Sequence, residues 1–370
     1  MQQPDISPPS GPVLGRRELL AGAAGAAGAL AGIGLLGLTP AQAVPVAAGV
    51  TKFDLPNSDQ VRVLVTGDAG TGTLTQFAVA DAARAYHARE PFSMAVGLGD
   101  NLYYSGPSGE HDDQFNTKFE TPNAGLDFPW AMVLGNHDNS SILPGDGGWL
   151  ARGNYEVAYH ANSARWWMPS RYYSLRVPQQ NPVVEFFILD LNPLASYIPQ
   201  ILDPYWAVDG QFMNDQRAWL DKALAESPAK WKIVCTHHPY LNNGSHGAAG
   251  HYDGLPAPMN GMHAKTFFED HVVGKANFIL SGHDHTLQVF EPTTESKGTR
   301  QLISGASSQT GKSQSMVGSS GGTRYPALFE SFDKLGFMVL DLTPSSVNLR
   351  VVTVDPATDQ SSRVFDQRLV

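Results

Sequence analysis

Val61-Arg62-Val63-Leu64-Val65-Thr66 runs straight into Gly67-Asp68-Ala69-Gly70, and the same pattern recurs along the chain. The apolar runs Ser93–Leu98, Ala131–Leu134, Trp231–Thr236 and Ala276–Ser281 lead into four further motifs. These are Gly99-Asp100-Asn101-Leu102-Tyr103, Gly135-Asn136-His137-Asp138, His237-His238-Pro239 and Gly282-His283-Asp284-His285. Short apolar runs bounded by turn residues predict buried strands. In an open α/β sheet, side chains just beyond the carboxyl ends of strands meet in one crevice. Five such ends would gather Asp, Asn, Tyr and His side chains at one place. That is enough oxygen and nitrogen for two metal ions sharing a carboxylate. Two adjacent metals are a general device for hydrolysing phosphate esters.

The text between the motifs predicts an α/β fold. Leu74–Arg89 is apolar at Leu74, Phe77, Ala78 and Ala82, a helical spacing. Asn214–Ser227 and His263–Val273 read as two more helices, and Glu185–Asp190 as a buried strand with no obvious ligand. Arg300–Ser304, Phe337–Leu342, Asn348–Val354 and Arg363–Val370 read as strands. Early βα units followed by hairpin-like strands suggest two packed mixed sheets flanked by helices. Three long connections, Asn139–Gly153, Asn192–Gly210 and Ser304–Pro326, are candidate binding loops.

The chain has 370 residues, 42% of them hydrophobic, enough for a substantial core. The spread of the motifs argues for one catalytic domain, because no compact part of the chain holds them all. A formal net charge of -10 without Lys/Arg clusters disfavours nucleic-acid and anionic-membrane binding. The single cysteine, Cys235, allows no intramolecular disulfide and reads as a small buried hydrophobe.

Gly15-Arg16-Arg17-Glu18-Leu19-Leu20 is a twin-arginine pattern, followed by the Gly/Ala/Leu stretch Ala21–Leu38 and by Ala41-Gln42-Ala43. Residues 1–43 are therefore expected to be a twin-arginine signal peptide, and 44–370 the catalytic domain. A stable membrane anchor is disfavoured, because the run is diluted by Gly and Ala and ends in a cleavage pattern. The expected partner is the twin-arginine export machinery, which carries folded proteins, and the expected location is periplasmic or secreted.

In this order the motifs resemble the calcineurin-like metallophosphoesterase superfamily. Tyr103, three residues after Asp100, narrows the resemblance to the small, tartrate-resistant type of purple acid phosphatase. Arg165-Trp166-Trp167-Met168-Pro169-Ser170-Arg171-Tyr172-Tyr173-Ser174-Leu175 supports it, and the resemblance runs from about residue 60 to the C-terminus. It implies a four-layer α/β/β/α sandwich of two mixed sheets. It also implies that Asp68, Asp100, Tyr103 and His285 hold one metal. Asp100, Asn136, His237 and His283 would hold a second, with Asp100 bridging. The implied pair is Fe(III) with a divalent Fe, Zn or Mn. His137 and His246 are the implied catalytic residues near the substrate.

Each residue type has its own chemical reason and its own bland alternative. A carboxylate is a hard ligand, but an Asp after Gly is also a common turn or cap residue. A phenolate suits Fe(III), and a packing tyrosine is the alternative for Tyr103. His283 and His285 would point apart on an extended segment, so the chain must turn there, with Gly282 giving the freedom. His238 and Tyr104 read as wall residues; His251, His263 and His271 lack motif support. The expected function is acid phosphatase action on small phosphate monoesters, by attack of a metal-bound hydroxide with a histidine protonating the leaving oxygen. The alternatives are a phosphodiesterase or nucleotide hydrolase of the same fold, iron-dependent peroxide or radical chemistry, and a non-catalytic binder.

Overall fold

The computed structural model describes residue 55 and residues 57–140, 143–148, 150–195, 203–314 and 324–370. The expected signal segment 1–43 and its cleavage site lie outside the described residues. No helix among them is long and apolar enough to cross a membrane.

Two seven-stranded mixed sheets form the frame. In the first, β1 (Val61–Thr66), β2 (Met94–Gly97), β3 (Trp130–Met132) and β4 (Trp166–Trp167) run parallel. On the other side of β1, an antiparallel meander of β12 (Leu335–Thr343), β13 (Ser346–Asp355) and β14 (Gln360–Arg368) completes the sheet. The second sheet contains β5 (Tyr173–Val177), β6 (Val184–Ile188), β7 (Trp231–Cys235), β8 (Phe278–Ser281), β9 (Leu287–Phe290), β10 (Arg300–Ser304) and β11 (Ala327–Ser331). Their order is β11-β9-β10-β8-β7-β6-β5, with β6, β7, β8 and β10 parallel.

The two-residue side-chain period of a strand sets the layers. Phe186, Ile233, Cys235, Phe278 and Leu280 enter the core between the sheets, with Val65, Met338 and Leu340 of the first sheet. Their neighbours Phe187, Val234 and Ile279 point the other way, into a second core. Helices α3 (Gln211–Glu226) and α4 (Met262–His271) cover that face with Phe212, Leu220, Phe267 and Phe268. Strands buried on both faces read as continuous apolar runs, which is why they stood out in the sequence. On the first sheet, α1 (Leu74–His87) buries Val79, Ala83 and Tyr86. The result is the expected sandwich of helix, sheet, sheet and helix.

Several boundaries differ from expectation. Leu74 is 87% exposed and lies off the buried face of α1, so it is not part of the helix's apolar stripe. Helix α3 begins before Asn214, and it stops because Ser227 precedes Pro228 and adopts an extended conformation. The connection after Asn139 folds into a short turn at Leu150–Arg152 and then helix α2 (Gly153–Tyr159). The short strands β9 and β11 were not apparent in the sequence, and β11 pairs irregularly at the edge.

Candidate metal centre

The five motifs meet at one edge of the sandwich, but from two sheets. Those after β1, β2 and β3 belong to the first sheet, and those after β7 and β8 to the second. Backbone bonds lock them together: Asp68 N–H donates to Gly99 O at 3.0 Å, Tyr103 N–H to Gly70 O at 2.8 Å, and Gly282 N–H to His237 O at 3.1 Å. Asp68, Asp100 and His283 have φ of 56°, 51° and 67°. Left-handed backbone at non-glycine residues is disfavoured and tends to cluster at functional sites. The turn in the histidine motif is therefore at His283 itself, not at Gly282. Gly282 serves close approach instead, since a Cβ there would stand 2.4 Å from Asp68 Oδ2.

Each aspartate divides its two oxygens. Asp68 Oδ2 accepts His283 N–H at 2.9 Å, and Asp100 Oδ1 accepts His137 N–H at 2.9 Å. The other oxygens face inward. The Tyr103 hydroxyl lies 3.0 Å from Asp68 Oδ1, 2.9 Å from Asp100 Oδ2 and 3.0 Å from His285 Nε2. Asp100 Oδ2 is also 3.3 Å from His237 Nε2. His237 Nε2 in turn is 2.9 Å from Asn136 Oδ1, which lies 3.1 Å from His283 Nδ1. The structure thus brings Asp68, Asp100, Tyr103 and His285 into one group, and Asp100, Asn136, His237 and His283 into another. Asp100 Oδ2 is the atom common to both.

This donor set fits cations. One phenolic proton cannot serve two carboxylates and an imidazole. His237 donates Nδ1–H to Leu98 O at 2.8 Å, so a neutral ring turns a lone pair at Nε2 toward the oxygens of Asn136 and Asp100. Acceptor facing acceptor calls for positive charge between them. Without a metal a proton takes that place: burial pulls His237 down, but Asp100 outweighs it and holds the ring at about 9. Burial opposes ionisation of Asp100 too, yet His237 and His137 hold its carboxyl below the ordinary range. Burial, with Asp100 and Asp68 beside it, pushes the Tyr103 phenol up. A bound cation would reverse that last push.

Residues behind the ligands were not apparent in the sequence. Asp138 accepts the backbone N–H groups of Asn101 at 2.8 Å, Leu102 at 3.0 Å and Gly135 at 2.7 Å. Glu156, fully buried on α2, accepts the side-chain amide of Asn101 at 2.9 Å, and the neighbouring Asp138 adds to burial in pushing its carboxyl up. Asp284, between the two motif histidines, accepts Asn242 Nδ2 at 2.8 Å and His246 N–H at 2.8 Å.

The remaining histidines separate clearly. His137 Nδ1 bonds Tyr104 O at 2.8 Å, and its ring lies 4.3 Å from that of Tyr103. Tyr104, 59% exposed, stands at the rim beside it. His246 pairs through Nδ1 with Asp253 Oδ1 at 2.7 Å, its ring 4.8 Å from His283. His238 is buried under Tyr252, where burial and then His237 pull it down to about 3. His271 bonds Asp221 at 2.9 Å, away from the site. Cys235 is buried, as expected. A cleft of about 290 Å³ lies over the centre, lined by Asn136, Gly145, Asp146, His238, Tyr252, Asp253 and His283. A larger apolar space of about 520 Å³ under α1, lined by Val79, Ala83, Phe119 and Leu126, lies behind the motif loops, and neither His137 nor His246 lines it.

Two mixed sheets with two groups of cation-binding donors at one edge suit a metal-dependent phosphoesterase. Residues 61–287 match the calcineurin-like phosphoesterase family model, and the chain belongs to that family. It is 29% identical to rat tartrate-resistant acid phosphatase type 5 over 218 residues, 57% of this chain and 59% of the relative. The chain thus spans less than two thirds of that relative's length. It is 27% identical to purple acid phosphatase 4 of Arabidopsis thaliana over 326 residues, 85% of this chain and 86% of the relative. Among solved structures, the GAP50 anchor of the inner membrane complex of Plasmodium matches with a TM-score of 0.62 at 20% identity, over 84% of this chain and 88% of that one. That last likeness concerns the fold alone.

Proposed function

We propose that the chain is a purple-type acid phosphatase that hydrolyses small phosphate monoesters at a dinuclear centre. The observation that carries this reading is the Tyr103 hydroxyl, within 3.0 Å of Asp68, Asp100 and His285. Asp68, Asp100, Tyr103 and His285 would hold Fe(III). Asp100, Asn136, His237 and His283 would hold a divalent Fe, Zn or Mn. When bound, the pair supplies charge for the phosphoryl oxygens and lowers the pKa of a water.

The chain's own residues do the rest. Asp68 and Asp100 are fixed by backbone N–H groups, so the inward oxygens keep their geometry as substrate enters. His137, with Nδ1–H committed to Tyr104 O, presents Nε2 as a proton carrier for the leaving oxygen. His246 is a second such carrier, bordering His283 and His285. Tyr104 forms the rim against which a leaving group rests.

The twin-arginine pattern at Arg16 and Arg17 supports export of the folded protein to the periplasm or beyond. The catalytic reading is tested by assaying purified protein on matched monoesters and diesters. Turnover of alkyl and aryl monoesters at mildly acid pH is expected. Preference for diesters would shift the reading to a phosphodiesterase.

A further inference from the structure

We infer that Asp253 is a positioning residue for His246, forming with it a carboxylate–imidazole pair that aims the ring at the metal centre. This rests on the phosphatase reading above. Asp253 has no motif around it and ligates neither proposed metal. Its role emerges only from the fold.

The main chain of His246 is tied to the ligand loops, because its N–H donates to Asp284 Oδ2 at 2.8 Å. Its ring lies 4.8 Å from that of His283 and 5.7 Å from that of His285. That leaves rotation of the ring to be settled, and Asp253 settles it. The carboxylate lies 2.7 Å from Nδ1, so Nδ1 carries the proton and donates, and Nε2 is left for the cleft. A carboxylate behind an imidazole fixes both tautomer and orientation.

The backbone is built to hold Asp253 there. Its φ is 54°, a left-handed conformation in a residue with a Cβ. Such strain persists only where the surroundings enforce it. Asp253 N–H donates to His246 O at 2.9 Å, which closes the segment between them. The preceding Tyr252 is buried, and its hydroxyl donates to Pro239 O at 2.7 Å, fastening the segment to the end of β7.

A cation held by His246, Asp253 and His283 is the competing explanation, since their donor atoms lie within 4.8 Å of one another. The 2.7 Å separation of Nδ1 and Oδ1 is that of a hydrogen bond. Two ligands at ~2.0–2.2 Å from one ion stand about 2.8 Å apart or more, whether the ion is octahedral or tetrahedral. The geometry therefore favours the pair over the ion.

The test compares Asp253→Ala, Asp253→Asn, His246→Ala and the Asp253→Ala/His246→Ala double variant. Each is measured for kcat and KM on an alkyl phosphate, and for bound metal. Nitrogen NMR of the imidazole side chains reads the tautomer of His246 without reference to activity. Asp253→Ala should lower kcat about 10-fold, part of the ~10²–10⁴ that a positioned acid supplies, with KM and metal content unchanged. Asp253→Asn should recover most of the loss, because its amide oxygen still accepts Nδ1–H. In the double variant Asp253→Ala should add nothing to the loss from His246→Ala. The NMR should show Nδ1–H in the wild type and loss of that fixed tautomer in Asp253→Ala. Additive losses, a wild-type kcat in Asp253→Ala, or release of metal from Asp253→Ala would each overturn the inference. Wild-type protein without phosphatase activity would sink the functional reading instead, and the tautomer would then decide the pairing on its own.

Discussion

Asn101 donates its backbone N–H to Asp138 at 2.8 Å, so one carboxylate ties the loop of Asp100 to the loop of Asn136. Gly135 N–H bonds the same carboxylate at 2.7 Å. Behind it, burial and then Asp138 push the Glu156 carboxyl well up.

A group raised on folding contributes stability that is full below its unfolded pKa and is lost as pH rises toward its folded value. Glu156 therefore weighs on the metal-free protein increasingly above about pH 4.5. Asp138, raised by burial and Asp100 to about 6, has the same sign, and that contribution remains in either protein. Glu156→Gln keeps a donor toward Asp138 and removes the ionisation. Urea unfolding of metal-free protein should show Glu156→Gln gaining on wild type by on the order of 1–3 kcal/mol between pH 5 and pH 8. A constant difference across that range would mean that Glu156 ionises normally.

Asp100 Oδ2 stands between Tyr103 and His237, one member of each ligand group. Asp100→Ala should accordingly lose both metals, whereas Asp68→Ala or His285→Ala should weaken the first preferentially. Metal analysis after gel filtration reads this directly. Full occupancy in Asp100→Ala would remove it from the shared position.

His137 reaches the rim with its Nδ1 held by Tyr104 O. His137→Ala should retain metals and lose turnover, by up to ~10²–10⁴-fold on alkyl phosphates, whose leaving oxygen needs a proton. Nitrophenyl phosphate should suffer less. Equal losses on both substrates would assign His137 to positioning.

The export reading rests on sequence alone. Arg16→Lys/Arg17→Lys should hold precursor in the cytoplasm, and N-terminal sequencing of exported wild type should begin after Ala43. Normal export of the double variant would rule out the twin-arginine route.

Much of this site was legible because each motif sits directly after a strand, where the chain must turn and expose a side chain. The apolar runs before Asp68, Asp100, Asn136, His237 and His283 were long enough to mark those ends. What stayed hidden depends on tertiary contact. The sequence could not show that the motifs come from two sheets, because strand order is not written in strand composition. The left-handed turn at His283 looked like work for Gly282, since only packing against Asp68 reveals why that glycine has no room for a Cβ. No motif in the sequence singles out Asp253 or Glu156. Their partners His246 and Asp138 meet them only in the folded chain. Leu74 looked like core by helical spacing, but the sheet lies against the other face of α1.

The account stands or falls on Tyr103 as an iron ligand. Its hydroxyl is buried among Asp68, Asp100 and His285, where a phenol is hard to ionise unless a cation is present. The most direct measurement is the visible spectrum of metal-analysed wild type and Tyr103→Phe. Wild type should hold about two metals per chain, one of them iron, and show a phenolate-to-Fe(III) charge-transfer band. Tyr103→Phe should lose the band while keeping the fold and much of the hydrolysis. An iron-replete wild type without the band, or a band that survives Tyr103→Phe, would contradict the account and make Tyr103 a packing residue.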